Sequence, residues 1–374
     1  MKRLAFDGRF FFGENPTAHS SLFRQRVSQN RIRQLPFRFI IYVDNISWKG
    51  DECCAPNVKV RHLEVAIKTS TRLGSVLWEN FTLPKALKQD RVDVFLSCFY
   101  RVPIFTRVAR VNMIHDLAFF TLPPFLNSNR HTGVMRRAAL WLAMRSHSAL
   151  CKRTITVSRF SQICLERILR LSSEITCVVP NAVDDWFYHY QFHAEPSSWK
   201  PYIAFVGSCT PKKNLESVLS VYAGLNNAAR EEFDLRIRSR LTPELKAMAT
   251  GLGIDASIIV LEKAMTRDEL RMFVAGARCL VLFSYEEGFG LPVAEAQAAG
   301  VPVLTSDGGS LPEFSSSVVA LGDGFQQRAT AALEAILTRS EISTANSRRG
   351  REQAKDFRPQ VVCEKFIAVI NGVS

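Results

Sequence analysis

Short apolar runs rich in Val, Ile, Leu and Phe recur along the chain, separated by stretches with a helical repeat. In the first half they are RLAF near the start, FRFIIYVD (37–44), VKVRHLEV (58–65), DVFLSCF (93–99), RVNMI (110–114), RTITVS (153–158) and ITCVVP (175–180). Runs that are apolar on both faces and spaced by helices predict a parallel sheet. After Val183 comes DDWFYHYQFHAEPSSWKP, turn-rich and aromatic, which predicts a connection between domains. The alternation then resumes with YIAFVGS (202–208), FDLRIRS (233–239), SIIVLEK (257–263), RCLVLFS (278–284), VPVLTS (301–306) and a weaker SVVALGD (317–323). The pattern predicts two doubly wound α/β domains, 1–183 and 184–354, followed by a C-terminal segment, 355–374, expected to cross back to the first. Ligands of such sheets bind at the C-terminal ends of the strands, so the loops there are the places to look for chemistry.

A length of 374 residues suits two domains, and 47% hydrophobic with 22% charged residues is ordinary globular composition. The nine cysteines lack C-x-x-C spacing and sit mostly in apolar runs, which predicts reduced core cysteines in a cytosolic protein. Asp7 interrupts the apolar N-terminal stretch too early for a signal peptide, and no run of eighteen apolar residues is present. Charge changes the picture more. Residues 1–190 carry 28 Lys and Arg against 14 Asp and Glu, a balance of +14, whereas residues 191–374 carry 20 against 21, a balance of −1. A one-sided positive field attracts polyanions, whether nucleic acid, anionic headgroups or a phosphorylated substrate, unless it is only a soluble basic face. Without paired Cys/His or an aromatic RNA-binding signature, nucleic acid is not expected.

The candidate chemistry lies in EEGFGLPVAEAQAAG (286–300). Leu291 to Ala299 has helix-forming composition, Pro292 fits the first turn, and Gly300 supplies the stop. The amides of Gly290 and Leu291 then lie at a helix N-terminus beside the crevice, where they can hold a diphosphate. Glu287 falls in the loop and Glu295 about one turn into the helix. The pair reads either as acceptors for sugar hydroxyls or as solvated acids favouring a helix start. Glu286 reads as a solvated loop residue.

This stretch, with the E-x7-E pair Glu287 and Glu295, the GGSLPE that follows (308–313), and VGSCTPKKNLESVL upstream, resembles the retaining nucleotide-sugar glycosyltransferases of family 4. WENFTLPKALKQDRVDVFLS, VNMIHDLAFFTLPPF, ITVSRFS and VVPNAVDDWF are similar to the family's segments in the same order. The resemblance implies the GT-B fold, a cleft between two Rossmann-like domains, and a nucleotide-diphosphate sugar as donor with no metal or other cofactor. It places Lys213, with Lys212, on the leaving diphosphate, His115 on the donor sugar or acceptor from the opposite side, and Glu287 nearer the transferred group. Gly13, Gly207, Gly288, Phe289, Gly290, Leu291 and Glu295 complete the donor site that it implies. Ser158 and Asn181 match family positions near the cleft; each also reads as a residue satisfying local backbone groups.

Family members of this kind transfer with retention by a front-face route, relying on positioning and charge more than on a general base. Similarity to bacterial polysaccharide mannosyl- and rhamnosyltransferase-like members points to GDP-mannose and to a glycan or lipid-linked glycan acceptor in polysaccharide or lipopolysaccharide synthesis. The basic first half and the segment 134–153, with Trp141, Leu142 and Met144 amid arginines, predict docking on an anionic membrane surface at the inner face of the plasma membrane. Departures concern the donor: Ala18 and Ser20 stand at expected glycine positions, as do Arg238 and Glu262, with Arg240 and Lys263 beside them. They leave as one rival a binding protein that has lost turnover; a sugar-nucleotide epimerase, which shares the GT-B architecture, is the enzymatic rival.

Overall fold

In a computed structural model of the chain, residues 1–9, 35–44, 56–123, 126, 133–190, 200–263 and 265–373 are described. Each of the thirteen apolar runs holds a strand. The first sheet comprises β1 (Lys2–Asp7), β2 (Phe37–Asp44), β3 (Val58–Leu63), β4 (Val94–Ser97), β5 (Ala109–Met113), β6 (Arg153–Thr156) and β7 (Thr176–Val178). The second comprises β8 (Tyr202–Val206), β9 (Asp234–Arg238), β10 (Ile258–Val260), β11 (Cys279–Leu282), β12 (Val303–Ser306) and β13 (Val318–Val319). Their orders are β3-β2-β1-β4-β5-β6-β7 and β10-β9-β8-β11-β12-β13, with parallel pairing throughout. Strand order therefore reverses between β1 and β4 in one sheet and between β8 and β11 in the other, which opens a crevice at each switch point.

β2 shows why the pattern folds this way. Phe37, Phe39, Ile41 and Val43 enter one core layer, with Leu4 and Phe6 of β1, while Ile40 and Tyr42 enter the layer on the opposite face. A strand covered on both sides has no solvated face, so its sequence is a continuous apolar run. Burial also explains the cysteines: desolvation pushes the Cys151 and Cys279 thiols up to about 12 and Cys164 to about 11, which suits packing residues.

Helix Ser340–Ala354 packs on the second domain, where Asn346 Nδ2 donates to the Val303 carbonyl (2.9 Å). The last helix, Pro359–Asn371, then lies on the first sheet and adds Val362 and Ile370 to the layer containing Leu4 and Phe6. The Lys2 ammonium donates to the carbonyls of Ile370 (3.2 Å), Asn371 (3.2 Å) and Val373 (2.9 Å), a cation set on the carbonyl end of that helix.

The helix Val134–Ala149 corrects one expectation. Its Trp141 indole donates to the Ile168 carbonyl (2.7 Å), Met144 is buried, and Arg137 and Arg145 are engaged with the carbonyls of Phe120 and Arg170. Of the three side chains expected to anchor it to a membrane only Leu142 is exposed, because the helix spends its Trp and Met on the neighbouring helix Arg159–Ile168 and its surroundings.

Candidate active site

The two loops flanking the β8/β11 switch point are stitched to each other. After β8 and Gly207, a 3-10 turn over Pro211–Lys213 ends at Asn214, whose left-handed backbone (φ +50°) turns the chain into helix Leu215–Ala223. Rather than capping that helix, the Asn214 side chain donates to the Phe283 carbonyl (3.1 Å), just past β11. The Tyr285 amide donates back to the Lys212 carbonyl (2.8 Å). The lysine turn and the carboxylate loop are thus one unit.

Within that unit Lys213 is ion-paired to Glu287. The same Glu287 oxygen accepts from Ser284 Oγ (2.6 Å), and Ser284 in turn has its carbonyl bound by Ser306 Oγ (2.6 Å). Glu287 is buried and its backbone bridges to Gly309, while the Ser310 amide donates to its carbonyl (2.9 Å). The two glycines of GGSLPE make this approach possible: a Cβ on Gly308 would lie 2.0 Å from the Ser284 carbonyl oxygen, and one on Gly309 2.5 Å from that of Glu287. Gly290, at φ +81°, starts helix Leu291–Ala299, and its carbonyl accepts from Val293 (2.9 Å). The first-turn amides of such a helix have no intrahelical acceptors, so those of Gly290 and Leu291 are suited to an anion next to Lys213. Phe289 departs from the expectation. Its ring packs against Phe314 (4.6 Å between centroids) and Phe357 (5.1 Å), so the side chain belongs to the core and only its backbone borders the crevice.

The loop also forms the seam with the first domain. A Cβ on Gly288 would lie 2.6 Å from the His115 carbonyl oxygen and 2.9 Å from Asp116 Cβ. Only a glycine lets the two domains meet this closely. Lys212 Nζ lies 3.7 Å from Asp116, and Ser161 Oγ donates to the His115 carbonyl (3.1 Å). His115 is half-buried at the end of the segment after β5, across the seam from the carboxylate loop. Nearby, Glu313 of GGSLPE accepts from the amides of Arg159 (2.9 Å) and Phe160 (2.6 Å), at the N-terminus of helix Arg159–Ile168. Ser158 caps that helix from its own domain (3.0 Å to the Ser161 amide), a local structural role. Nothing in the spacing of Glu313 signals its contact, which spans more than 150 residues of sequence.

Glu286 is the second correction. Expected in solvent, it is 4% exposed and one carboxylate oxygen, Oε1, is buried with no hydrogen-bond partner. Desolvation raises its pKa, with Asp116 and Glu287 adding to the shift and Thr121 and Lys212 opposing it. The first domain closes over this side chain, which local polarity cannot foretell.

Glu295 lies apart from the Lys213–Glu287 pair. Half-buried in the second turn of its helix, it has Asp184, Arg267 and Arg271 as charged neighbours, and desolvation above all, with Asp184 adding and the arginines opposing, pushes it up to about 8. Both arginines are ion-paired to Asp184. Although burial opposes it, the Trp186 amide and these two cations hold Asp184 below the usual carboxylate range. Arg238 ends β9 at the same edge of the sheet as Gly207, while Glu262 is exposed near Lys246 (3.5 Å). Gly13, Ala18 and Ser20 lie outside the described residues. Among the described residues no group of three or more His, Cys, Asp or Glu side chains is arranged to hold a metal ion.

Comparison with known proteins bears on the fold and on the class of chemistry. Residues 191–353 match the family described as "Glycosyl transferases group 1". The chain is 27% identical over 264 residues to O-antigen chain mannosyltransferase B of Escherichia coli, covering 66% of each chain. It is 24% identical over 218 residues to the serotype-specific mannosyltransferase WbdA of Escherichia coli, covering 54% of this chain and 26% of that one. Against solved structures, sucrose-phosphate synthase from Thermosynechococcus elongatus gives a TM-score of 0.75 at 14% identity over 100% of this chain and 99% of that one. WaaG, a glycosyltransferase involved in lipopolysaccharide biosynthesis, gives 0.68 at 18% identity over the whole of both chains. The fold is GT-B: two parallel-sheet Rossmann-like domains facing a cleft. The family match and the relatives support a glycosyltransferase.

Proposed function

We propose that this protein transfers a sugar, with retention, from a nucleotide-diphosphate sugar to a glycan or lipid-linked glycan in polysaccharide or lipopolysaccharide synthesis. The observation that carries the reading is the ion pair of Lys213 and Glu287 at a switch point, beside the N-terminus of helix Leu291–Ala299. Helix-end amides and Lys213, with Lys212, neutralise the departing diphosphate, and Glu287, steadied by Ser284, holds the sugar side. As the bond from the anomeric carbon to the phosphate oxygen breaks, the leaving group keeps the electron pair. The acceptor hydroxyl attacks from the same face and passes its proton to the departing phosphate, so no separate protein base is required. His115 faces the sugar from the first domain, and Glu295 serves the nucleoside end. Mannose from GDP-mannose is the proposed donor, in keeping with the mannosyltransferases among the relatives. On this reading the transfer needs no metal or other cofactor.

The test is a thermal-shift panel of nucleotides and nucleotide sugars followed by turnover. We expect stabilisation by guanine nucleotides over the others, and a Lys213→Ala variant that keeps its fold by circular dichroism but loses about 100-fold to 1000-fold in turnover. Full turnover in that variant would reject the assignment; stabilisation by a different base would change the donor alone.

A further inference from the structure

Two arginines of β9, Arg236 and Arg238, leave the same face of the second sheet, because residues two apart on a strand share a face. The first is spent on the fold. Its guanidinium lies 4.2 Å from the centre of the Tyr202 ring, which stacks in turn on Phe273 of helix Arg267–Ala275, and it donates to the Lys200 carbonyl (3.3 Å). The second is not. Arg238 is half-buried at the last position of β9, its Nε is buried without a hydrogen-bond partner, and among the described residues its guanidinium has no ion pair, hydrogen bond or ring contact. An N–H that gives up water and takes no acceptor in return costs free energy, which a ligand carrying acceptors can restore.

The strand end that carries Arg238 is fixed on both sides. Ser239 is buried and accepts from Cys209 Sγ (3.1 Å) in the turn after β8, and from the other side the Leu261 amide donates to the Ile237 carbonyl (2.9 Å). The acid that follows Leu261, Glu262, is paired with Lys246 (3.5 Å) and not with Arg238.

Strand order determines which part of a donor reaches this position. The order β10-β9-β8-β11 puts the carboxylate loop after β11, the lysine turn after β8 and Arg238 one strand further on, where neighbouring strands lie about 4.8 Å apart. A Cβ on Gly207 would lie 3.8 Å from Lys213 Cδ, so that lysine already occupies the end of β8. A donor laid across the strand ends, with its sugar at Glu287 and its diphosphate at Lys213, brings its nucleoside to the end of β9. Chemistry then narrows the base. A guanidinium is a planar fork that only donates. Guanine offers it two adjacent acceptors, O6 and N7; adenine has an amino donor in place of O6, and pyrimidines have no N7.

We propose that Arg238 selects the base of the donor, its guanidinium donating to guanine O6 and N7 so that the site takes a guanosine diphosphate sugar over those of adenine or uracil. The inference rests on the nucleotide-sugar reading above and supplies the residue behind the choice of donor.

The test is calorimetric titration of the full chain with GDP, ADP, UDP and inorganic pyrophosphate. The wild type should bind GDP about tenfold to 100-fold more tightly than ADP or UDP. Arg238→Ala should lose about that factor for GDP and less than about threefold for the other ligands, so that the preference collapses. Arg238→Lys should keep its affinity for pyrophosphate yet lose the preference, because a point charge does not reproduce the fork. Lys213→Ala should weaken every ligand, pyrophosphate included, and Arg240→Ala, a change at an exposed neighbour, should leave the preference unchanged. A probe on the ligand side needs no variant: 7-deaza-GDP, which lacks the N7 acceptor, should bind the wild type about tenfold more weakly than GDP does.

An equal loss for all ligands in Arg238→Ala would put the guanidinium on phosphate and overturn the proposal. So would equal wild-type affinity for GDP and 7-deaza-GDP, a preference for another base, or a guanine preference that survives in Arg238→Ala or vanishes in Arg240→Ala. In each of those cases nucleotide binding stands and only the base reader falls. If the wild-type chain binds no nucleotide at all, the enzymatic reading fails and this inference with it.

Discussion

Although the second sheet repeats the order of the first six strands of the first sheet, the first half of the chain carries an excess of 14 positive charges and the second half is nearly neutral. Apolar exposure follows the same division. Among the described residues, the exposed large hydrophobics of the second domain are Ile259, Met272, Tyr285 and Val318, none above 42%, while those of the first reach 87% at Met135. The acids explain part of the contrast. In the first domain Asp7 and Glu79 are buried on Arg9 and Arg101, and Asp44 is buried on Thr69, so these carboxylates do not offset the cations on the outside. In the second, Glu286 and Glu287 are buried beside the first domain and Glu295 is half-buried. One topology can therefore present a closed, polar site on one side and an open, basic and apolar surface on the other, because side-chain placement and not strand order decides what meets solvent.

The closeness of the second domain's loops can be broken most directly at Gly308. An alanine there puts Cβ against the Ser284 carbonyl, and we expect a loss of about 2–3 kcal/mol from the urea midpoint, with nucleotide binding weakened as the Glu287 loop shifts. A midpoint within experimental error of the wild type would show that the two loops separate at little cost.

The enclosed acids make a second, pH-dependent prediction. Glu295 has its folded pKa raised to about 8, so the folded state holds a proton that the unfolded state has lost between about pH 4.5 and 8. Its contribution is fully present below about pH 4.5 and is lost as pH rises through 8. Urea midpoints at pH 5, 6.5 and 8 should fall less steeply in Glu295→Gln than in the wild type, with the variant gaining relative stability at pH 8. Parallel curves would show that this carboxyl is already ionised and well solvated.

The smallest effect is expected where the two domains touch in partial solvent. Glu313→Ala removes the acceptor for the amides of Arg159 and Phe160, worth about 1 kcal/mol of the closed arrangement. Small-angle scattering should show a larger radius of gyration for the variant, reduced again by a tightly bound nucleotide. Identical curves for variant and wild type would assign closure to the Gly288 seam instead.

Strand positions were legible because a parallel sheet covered on both faces demands continuous apolar runs, and every one of the thirteen runs holds a strand. The meeting of Lys213 with Glu287 was legible from motifs because both follow the strands that flank the switch point, β8 and β11. The burial of the Phe289 ring was not legible. A glycine-flanked aromatic in a loop looks accessible until Phe314 and Phe357, far along the chain, arrive to pack on it. The partner of the Trp141 indole was hidden in the same way, since it is the carbonyl of Ile168 on another helix.

By itself, then, the sequence determined the two doubly wound sheets, the loops that follow their central strands, and the division of charge, all of which depend on residue type and short spacing. Only the tertiary structure decided which side chains in those loops are enclosed and which surfaces stay open. Glu286 is buried because the first domain covers it, Glu313 caps a helix of the opposite domain, and Phe81 and Phe105 become one patch because Asn80 holds their two segments together. Burial and long-range partners depend on what arrives from distant parts of the chain, and local pattern carries no record of that.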